Sequence, residues 1–374
     1  MIKNENLDSL AEKTAPCSNW RLLSSRLLLL AVLVVMFALF SIFAHNFFTV
    51  RSVLNLLVQT STFTILGIGA TLVLVVGCID FSLGAVIALS GTAVVVFAAM
   101  GIPIWIAMIA ASILGGVVGL ANGFLVARVR LPSFVITFAM AMLIYGLLSA
   151  FGAFMAAHAG PIPHPDNLNH LGDLATIPVF RILSHDANGT EVVVFPGISW
   201  IIIIMVIVAA LSHLFLEKTR FGRYAFLVGS NPEASRLSGI KVVRIRIMAF
   251  VLASMLAGLV GVLLTSRLGG PPGGAVGYEM IAIECAMIGG ASLLGGTGSV
   301  GRAVIGSFLV STLAMGLTMI GGNSIYLPLF FNGLVLLGAV YLDQVRNGKV
   351  GGPLFRVSPL IKVDVPPSTQ LSNQ

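Results

Sequence analysis

The sequence predicts an all-α integral membrane protein, a polytopic helical bundle of about ten transmembrane helices. Of its 374 residues, 57% are hydrophobic and only 9% are charged, whereas a soluble domain carries about 25% charged residues. Apolar runs of about 20 residues, the length needed to cross about 30 Å of hydrocarbon, recur along the chain. Lysine and arginine are also spread unevenly among the segments that join these runs. These three observations exclude a soluble globular protein.

Ten apolar runs define the predicted spans. The first could be mistaken for a secretory signal, but it is longer than a typical signal core and lacks an Ala-x-Ala cleavage site, so we interpret it as a span. The eighth contains AMIGGASLLGG and is short and glycine-rich, so we expect it to be broken or re-entrant, with its freed backbone buried in protein or lining a cavity. In order, the runs cover residues 27–44, 56–78, 82–100, 103–127, 134–156, 198–216, 247–266, 281–296, 303–321 and 325–342.

The basic residues predict the orientation of the chain. With ten spans and the N-terminus inside, all of the 21 lysines and arginines except Arg51, Arg181 and Arg267 fall in inside segments. Such an asymmetry is typical of the cytoplasmic side of a membrane, and we assign the net charge of +7 to it rather than to nucleic-acid binding. We therefore expect a cytoplasmic tail at 1–26, a transmembrane domain at 27–346 with an outer loop at 157–197 and a cytoplasmic loop at 217–246, and a cytoplasmic tail at 347–374.

Sequence patterns for chemistry are scarce. The chain has no G-x-x-x-x-G-K-[ST], HExxH or GxSxG pattern, so we expect no nucleotide-binding P-loop, no hydrolytic activity and no cofactor. The outer loop carries several histidines, His164 and His170 among them, in a spacing that fits no standard metal site. It also holds a weak glycosylation sequon at Asn188 and ends in EVVVF, which is typical of a strand. We predict neither an enzyme nor a metal protein.

The cytoplasmic loop contains one short helix whose start and end are both marked. Asn231 is a good N-cap, Pro232 suits the first helical position, and Glu233 favours the positive end of the helix dipole. Gly239 suits the left-handed position that closes a helix. This pattern predicts a helix over 232–238 that needs something to pack against. It can dock into a groove of another protein, or it can merely turn the chain between spans six and seven.

Polar side chains inside spans are costly and often face a cavity. Packing between helices through hydrogen bonds is the alternative for each of them. Asp80 lies near a span end instead, where Asp80 or Ser82 is typical of a helix start. The predicted pathway-lining residues are Gln59, Thr60, Asn122, Thr137, Tyr145, Glu284 and Asn332.

Five stretches, taken together, resemble the permease subunits of sugar ATP-binding-cassette importers, the ribose permease family. The resemblance covers roughly residues 46 to 346, with departures at Thr297 and at Tyr145–Gly146 that bear on the substrate more than on the machinery. The stretches are ILGIGATLVLVVGCIDFSLGAVIALSG (65–91), NGFLVARVRLPSF (122–134), FGRYAFLVGSNPEASRLSGIKV (221–242), GYEMIAIECAMIGGASLLGGTGSVGRAVIGSFL (277–309) and FNGLVLLGAVYLDQVR (331–346).

The resemblance implies a permease in a bacterial inner membrane that pairs with a second copy or a paralogue. A separate ATPase subunit would supply the energy, and a periplasmic binding protein would deliver a sugar, such as a pentose. The short helix would then be the element that couples the permease to the ATPase. Its implied coupling residues are Asn231, Pro232, Glu233, Ala234, Arg236, Leu237, Ser238 and Gly239.

Two alternatives remain open at this point. The same architecture could import nucleosides or branched-chain amino acids. A secondary transporter could instead use Glu284 as a proton site, although one buried glutamate is thin support for ion coupling.

Overall fold

The computed structural model describes residues 19–158, 182–185, 191–195, 198–273, 275–321 and 326–346. Most of the predicted outer loop lies outside the described residues, including His164, His170 and the sequon at Asn188. The predicted tails lie outside them as well, apart from residues 19–26.

The described part of the chain holds twelve helices, and ten of them fall on the ten predicted spans. The other two, α7 and α8, lie in the predicted cytoplasmic loop. The helices are α1 Asn19–Phe43, α2 Val50–Val75, α3 Leu83–Ala99, α4 Ile104–Ala127, α5 Ser133–His158, α6 Trp200–Lys218, α7 Arg220–Ser230, α8 Pro232–Leu237, α9 Val242–Leu268, α10 Tyr278–Ile288, α11 Val300–Ile320 and α12 Tyr326–Arg346.

Seven of these helices are long and apolar enough to cross a membrane: α2, α4, α5, α6, α9, α11 and α12. α1 and α3 add shorter apolar stretches. The prediction of an all-α polytopic membrane bundle is therefore confirmed. α1 begins at Asn19 rather than near residue 27, so the helix extends into the stretch predicted as a tail.

A small hairpin accompanies the helices. β1 (Ile182–His185) pairs antiparallel with β2 (Glu191–Phe195), with Leu183 opposite Val193. The strand predicted from EVVVF is thus present.

The predicted eighth span is broken. α10 has 11 residues, or roughly 16 Å of helix, which is too short to cross about 30 Å of hydrocarbon. The chain then turns through Gly290, Gly295 and Gly296, whose positive φ angles of 82°, 89° and 74° suit glycine. A continuous helix over 281–296 is therefore ruled out.

α9 forms the centre of the bundle, where it packs against α2, α3 and α4. Small residues allow the closest approach: a Cβ on Gly115 of α4 would lie 2.5 Å from the Ser254 carbonyl oxygen of α9. One on Gly119 would lie 2.8 Å from the Ser254 Oγ. Close backbone contact through small residues is a common way for membrane helices to associate.

α5, α6 and α12 lie at the periphery. Few of their side chains are buried, and Leu143 of α5 and Leu337 of α12 are 68% and 73% exposed. These apolar faces suit contact with lipid or with another membrane helix.

α3 begins inside the bundle instead of at its end. The chain leaves α2 and runs along the first turns of α5, where the Ile79 amide donates to Ser133 Oγ (3.1 Å) and the Phe81 amide donates to Thr137 Oγ1 (3.0 Å). α3 starts only after this segment, so its first turn lies deeper than the first turn of α5.

α10 also begins inside the bundle. The chain that joins α9 to α10 packs along α3: a Cβ on Gly91 would lie 2.8 Å from Pro272 Cγ, and one on Gly84 would lie 2.5 Å from the Ala275 carbonyl oxygen. Gly91 and Gly84 are two helical turns apart, or roughly 10 Å. The first turns of α3 and α10 therefore lie side by side.

Candidate functional site

α8 carries its own caps. Asn231 Oδ1 accepts hydrogen bonds from the amides of Glu233 (3.1 Å) and Ala234 (2.9 Å), and Pro232 occupies the first helical position. The helix ends at Leu237 and Ser238 is its C-cap, so it is one residue shorter than predicted. Gly239 has the expected left-handed conformation, with φ at 82°. The predicted start and end are otherwise confirmed.

An ion pair braces the exposed side of α8. Arg236 donates from Nη2 to Glu233 Oε1 (2.6 Å) and from Nε to Glu233 Oε2 (3.1 Å). This bidentate pair lowers the pKa of Glu233 and raises the pKa of Arg236, in both cases mainly through the hydrogen bonds between them. Both side chains stay more than 60% exposed, at 67% and 62%.

α8 presents most of its side chains outward. Within the helix only Ser235 is buried, whereas Leu237 is 74% exposed. An exposed leucine beside a charged pair can serve as an anchor for another protein.

α7 supports α8, and the sequence analysis missed it. Thr219 caps it by accepting from the Gly222 amide (3.4 Å), and Phe221, Ala225 and Val228 form its buried stripe. The spacing of these three residues, together with a threonine just before them, is the pattern that could have predicted the helix.

A glycine-rich turn ties this end of the bundle together. The Gly296 amide donates to the Val75 carbonyl at the end of α2 (2.9 Å). On the other side, Asp343 Oδ2 of α12 accepts from Ser292 Oγ (3.0 Å) and from the Leu293 amide (3.2 Å). The turn therefore links α2, α10 and α12 beside α7. We call this end of the bundle the α8 face.

A cavity of about 430 Å³ opens on the α8 face between α4, α5, α8 and α9. Three arginines and one glutamate line it, namely Arg130, Arg236, Arg246 and Glu233. This excess of positive charge favours an acidic group of a binding partner.

The interior polar residues cluster where α3 begins. Asp80 Oδ1 accepts from the Ser82 amide (2.8 Å) and from Ser82 Oγ (2.6 Å), and Asn122 Nδ2 donates to Ser82 Oγ (2.8 Å). Ser82 is the N-cap residue of α3, as the sequence allowed, but no side chain caps the helix, and Asp80 instead holds Ser82 itself in place. Asn122 and Thr137 are both fully buried and hold the start of α3 against α4 and α5.

The other predicted pathway residues are spread through the bundle. Tyr145 Oη lies 3.1 Å from the position of a Cβ on Gly84, next to the cluster. Among the described residues, no hydrogen bond joins Gln59, Thr60, Glu284 or Asn332 to the polar cluster around Ser82. Thr60 and Glu284 are buried at 0% and 2% exposure, while Gln59 and Asn332 are half-buried.

Comparison with known proteins decides which family this architecture represents. Residues 52–340 match the family described as the branched-chain amino acid transport system permease component. The chain belongs to this permease family. The permease is thus a component of an ATP-binding-cassette transporter, a transport subunit and not an enzyme, as predicted.

Individual relatives resemble the permease over most of its length. The ribose import permease protein RbsC of Escherichia coli K12 is 32% identical over 319 residues, 85% of this chain and 93% of that protein. RbsC of Bacillus subtilis 168 is 32% identical over 316 residues, 84% and 91% of the two chains. The L-arabinose ABC transporter permease protein AraH of Azospirillum brasilense is 30% identical over 331 residues, 88% and 90% of the two chains. No solved structure matches the permease significantly.

Membership in the family also bears on partners. A permease of this kind works with an ATPase and a binding protein in general, and it is a multi-pass membrane protein. This membership favours ATP-driven transport over the proton-coupled alternative based on Glu284.

Proposed function

We propose that the permease imports a monosaccharide, such as a pentose, that a periplasmic binding protein delivers. Relatives that resemble it over about 85% of the chain are named for the import of ribose, and others are named for L-arabinose and xylose. The family description names branched-chain amino acids, whereas these individual relatives are named for sugars. The individual relatives therefore support a sugar.

In this proposal, α8 couples the permease to the ATPase. The observation that carries the coupling role is that α8 is capped at both ends and exposes every residue except Ser235. Arg236 and Glu233 would meet polar groups of the ATPase, and Leu237 and Ala234 would supply the apolar contact. Asn231, Pro232, Ser238 and Gly239 would keep the helix rigid, so that movement of the ATPase is passed on instead of being absorbed.

The orientation and assembly form part of the same proposal. The permease lies in a bacterial inner membrane with both termini cytoplasmic, which the distribution of lysine and arginine supports. A second permease, identical or paralogous, completes the pathway. The apolar faces of α5 and α12 leave room for such a partner.

The pathway between the two permeases carries the solute past polar side chains, while the binding protein sets most of the specificity. Tyr145 is the strongest candidate for lining this pathway, because it is half-buried beside the first turns of α3 and α10. Gln59, Thr60, Asn122, Thr137, Glu284 and Asn332 remain proposed members of the same pathway.

The test is ATP-dependent uptake in vesicles that contain the permease, its ATPase and its binding protein. Leu237→Ala, and Glu233→Ala combined with Arg236→Ala, should each lower ATPase binding and uptake at least about tenfold, the effect of losing an interface anchor. Leu211→Ala is the matched control, because Leu211 is 61% exposed on the span α6, away from the α8 face. Full activity of the α8 variants would show that α8 is only a turn.

Competition for uptake separates the substrate classes. Unlabelled ribose, arabinose or xylose should suppress uptake, whereas leucine or a nucleoside should not. Inhibition by leucine alone would assign the permease to amino acids. Uptake that needs a proton gradient instead of ATP, and that fails in Glu284→Gln, would revive the secondary-transport alternative.

A further inference from the structure

Three oxygens converge on the first turn of α3 from three different elements. The Ala275 carbonyl oxygen and Tyr145 Oη lie 2.5 Å and 3.1 Å from the position that a Cβ on Gly84 would take, and Glu279 Oε2 lies closer still. Only a glycine at position 84 leaves room for all three oxygens. They meet where α3 and α10 begin, inside the bundle.

Two of these oxygens are buried without a partner. Glu279 Oε1 accepts a hydrogen bond from the Gly277 amide (3.1 Å), but Glu279 Oε2 and Tyr145 Oη have no hydrogen-bond partner among the described residues. Buried polar atoms are nearly always satisfied in native proteins. Both oxygens therefore keep the capacity to hydrogen-bond to a solute placed beside them.

The three oxygens lie close to the surface of the bundle. Tyr145 and Glu279 are each half-buried as residues, and the neighbouring side chains of Val276 and Met280 are 69% and 42% exposed. Glu284, further along α10, is only 2% exposed. Glu279 therefore lies nearer the surface of the bundle than Glu284, although its Oε2 is itself buried.

The chemistry of the three oxygens suits a polyhydroxyl solute. A carboxylate and a carbonyl accept hydrogen bonds, while the phenol of Tyr145 can both donate and accept. A sugar hydroxyl also donates and accepts, so neighbouring hydroxyls can satisfy both unpaired atoms. Transporters commonly place their binding sites where broken helices begin within the membrane.

We infer that Tyr145 and Glu279 hold hydroxyl groups of the solute beside the first turn of α3, as a contact point within the pathway. This inference rests on the proposed import of a sugar. It adds Glu279, which the sequence placed only at the end of a span, and it gives Tyr145 a specific role.

The experiment uses the complete importer in vesicles, with labelled ribose, arabinose or xylose at saturating binding protein. It measures the sugar taken up and the ATP hydrolysed in the same sample. Tyr145→Phe and Glu279→Gln should each lower the sugar moved per ATP by about tenfold, the effect of one lost hydrogen bond. Hydrolysis stimulated by the binding protein should stay near the wild-type rate, because both substitutions preserve side-chain shape.

Tyr278→Phe is the matched control. It also removes one phenolic oxygen, but the ring of Tyr278 packs edge-on against Phe63, with the ring centroids 6.0 Å apart. We expect its ratio of sugar to ATP to equal that of the wild type.

The outcomes separate this inference from the proposed function. If wild-type vesicles move leucine but none of the sugars, the proposed function fails. If the wild type moves a sugar and both variants keep its ratio of sugar to ATP, the inference is overturned. A parallel fall of hydrolysis and uptake in both variants would overturn it too, because it would show that the residues only support the fold.

Discussion

α8 and the first turn of α3 are held in place in opposite ways. The hydrogen bonds of α8 close within residues 231–240, so the helix is a self-contained exposed element. The start of α3 depends on Asn122 and Thr137, which are 40 and 56 positions away from their partners along the chain. A self-contained element can pass on a push without changing shape. An element held by distant helices changes when those helices move.

The two regions are connected by direct contacts. α8 packs on α7, α7 packs against the end of α2, and the segment that leads to α3 leaves that end. Gly229 of α7 lies against the Val75 carbonyl of α2. We expect movement of α8 to reach the start of α3 by this route.

The largest effect is expected at the contact between α7 and α2. A Cβ on Gly229 would meet the Val75 carbonyl oxygen and would lie 2.5 Å from the Gly296 nitrogen, and these backbone atoms cannot move aside easily. Gly229→Ala should therefore destabilise the permease by about 3 kcal/mol or more, although helix propensity alone favours alanine by about 1 kcal/mol. Thermal unfolding in detergent measures the stability, and vesicle uptake measures the function.

Gly239→Ala is the control for this substitution. A Cβ at this position would meet no atom within 4 Å, so only the left-handed backbone opposes alanine, at about 1 kcal/mol. Equal stabilities for the two variants would contradict a tight contact between α7 and α2.

The second prediction concerns the anchor of α3. Thr137→Val keeps the side-chain shape but leaves the Phe81 amide without its acceptor, which should cost about 2 kcal/mol. Thr92→Val is the matched control, because Thr92 Oγ1 only donates to the Ala88 carbonyl of its own helix (2.8 Å). If both variants unfold at the same temperature, the start of α3 does not depend on this long-range bond.

The same contrast explains what the sequence could predict. Membrane spans follow from composition over about 20 residues, and α8 follows from Asn231, Pro232 and Gly239, because these determinants are local. The break near α10 was expected from its glycines. The meeting of Gly84, Tyr145 and Glu279 could not be predicted, because no spacing rule relates residues so far apart in the chain. α7 was missed although its pattern is local, since it lies in a short basic stretch that was interpreted as loop.

A smaller effect is expected at the cap of α8. Asn231→Ala leaves the amides of Glu233 and Ala234 without their acceptor and should weaken the helix by about 1 kcal/mol. Hydrogen exchange at those two amides should become faster while exchange in α9 stays unchanged, because α8 is self-contained. Asn231→Asp keeps an acceptor oxygen and should behave like the wild type. Faster exchange throughout α9 in the alanine variant would show that α8 is coupled to the bundle more tightly than its hydrogen bonds suggest.

The smallest effect is expected from the ion pair on α8. Because Arg236 lowers the pKa of Glu233 from its ordinary value of 4.5, the pair contributes stability above that value and loses it as the pH falls through the lowered pKa. Both side chains are exposed, so water and salt screen the pair and its contribution stays small. Carbon-13 NMR of the Glu233 carboxyl, assigned with Glu233→Gln, should show a midpoint below 4.5 that rises in Arg236→Ala and in high salt. An unchanged midpoint in Arg236→Ala would mean that the pair does not form in the free permease. The rigidity of α8 would then rest on its caps alone, at Asn231 and Gly239.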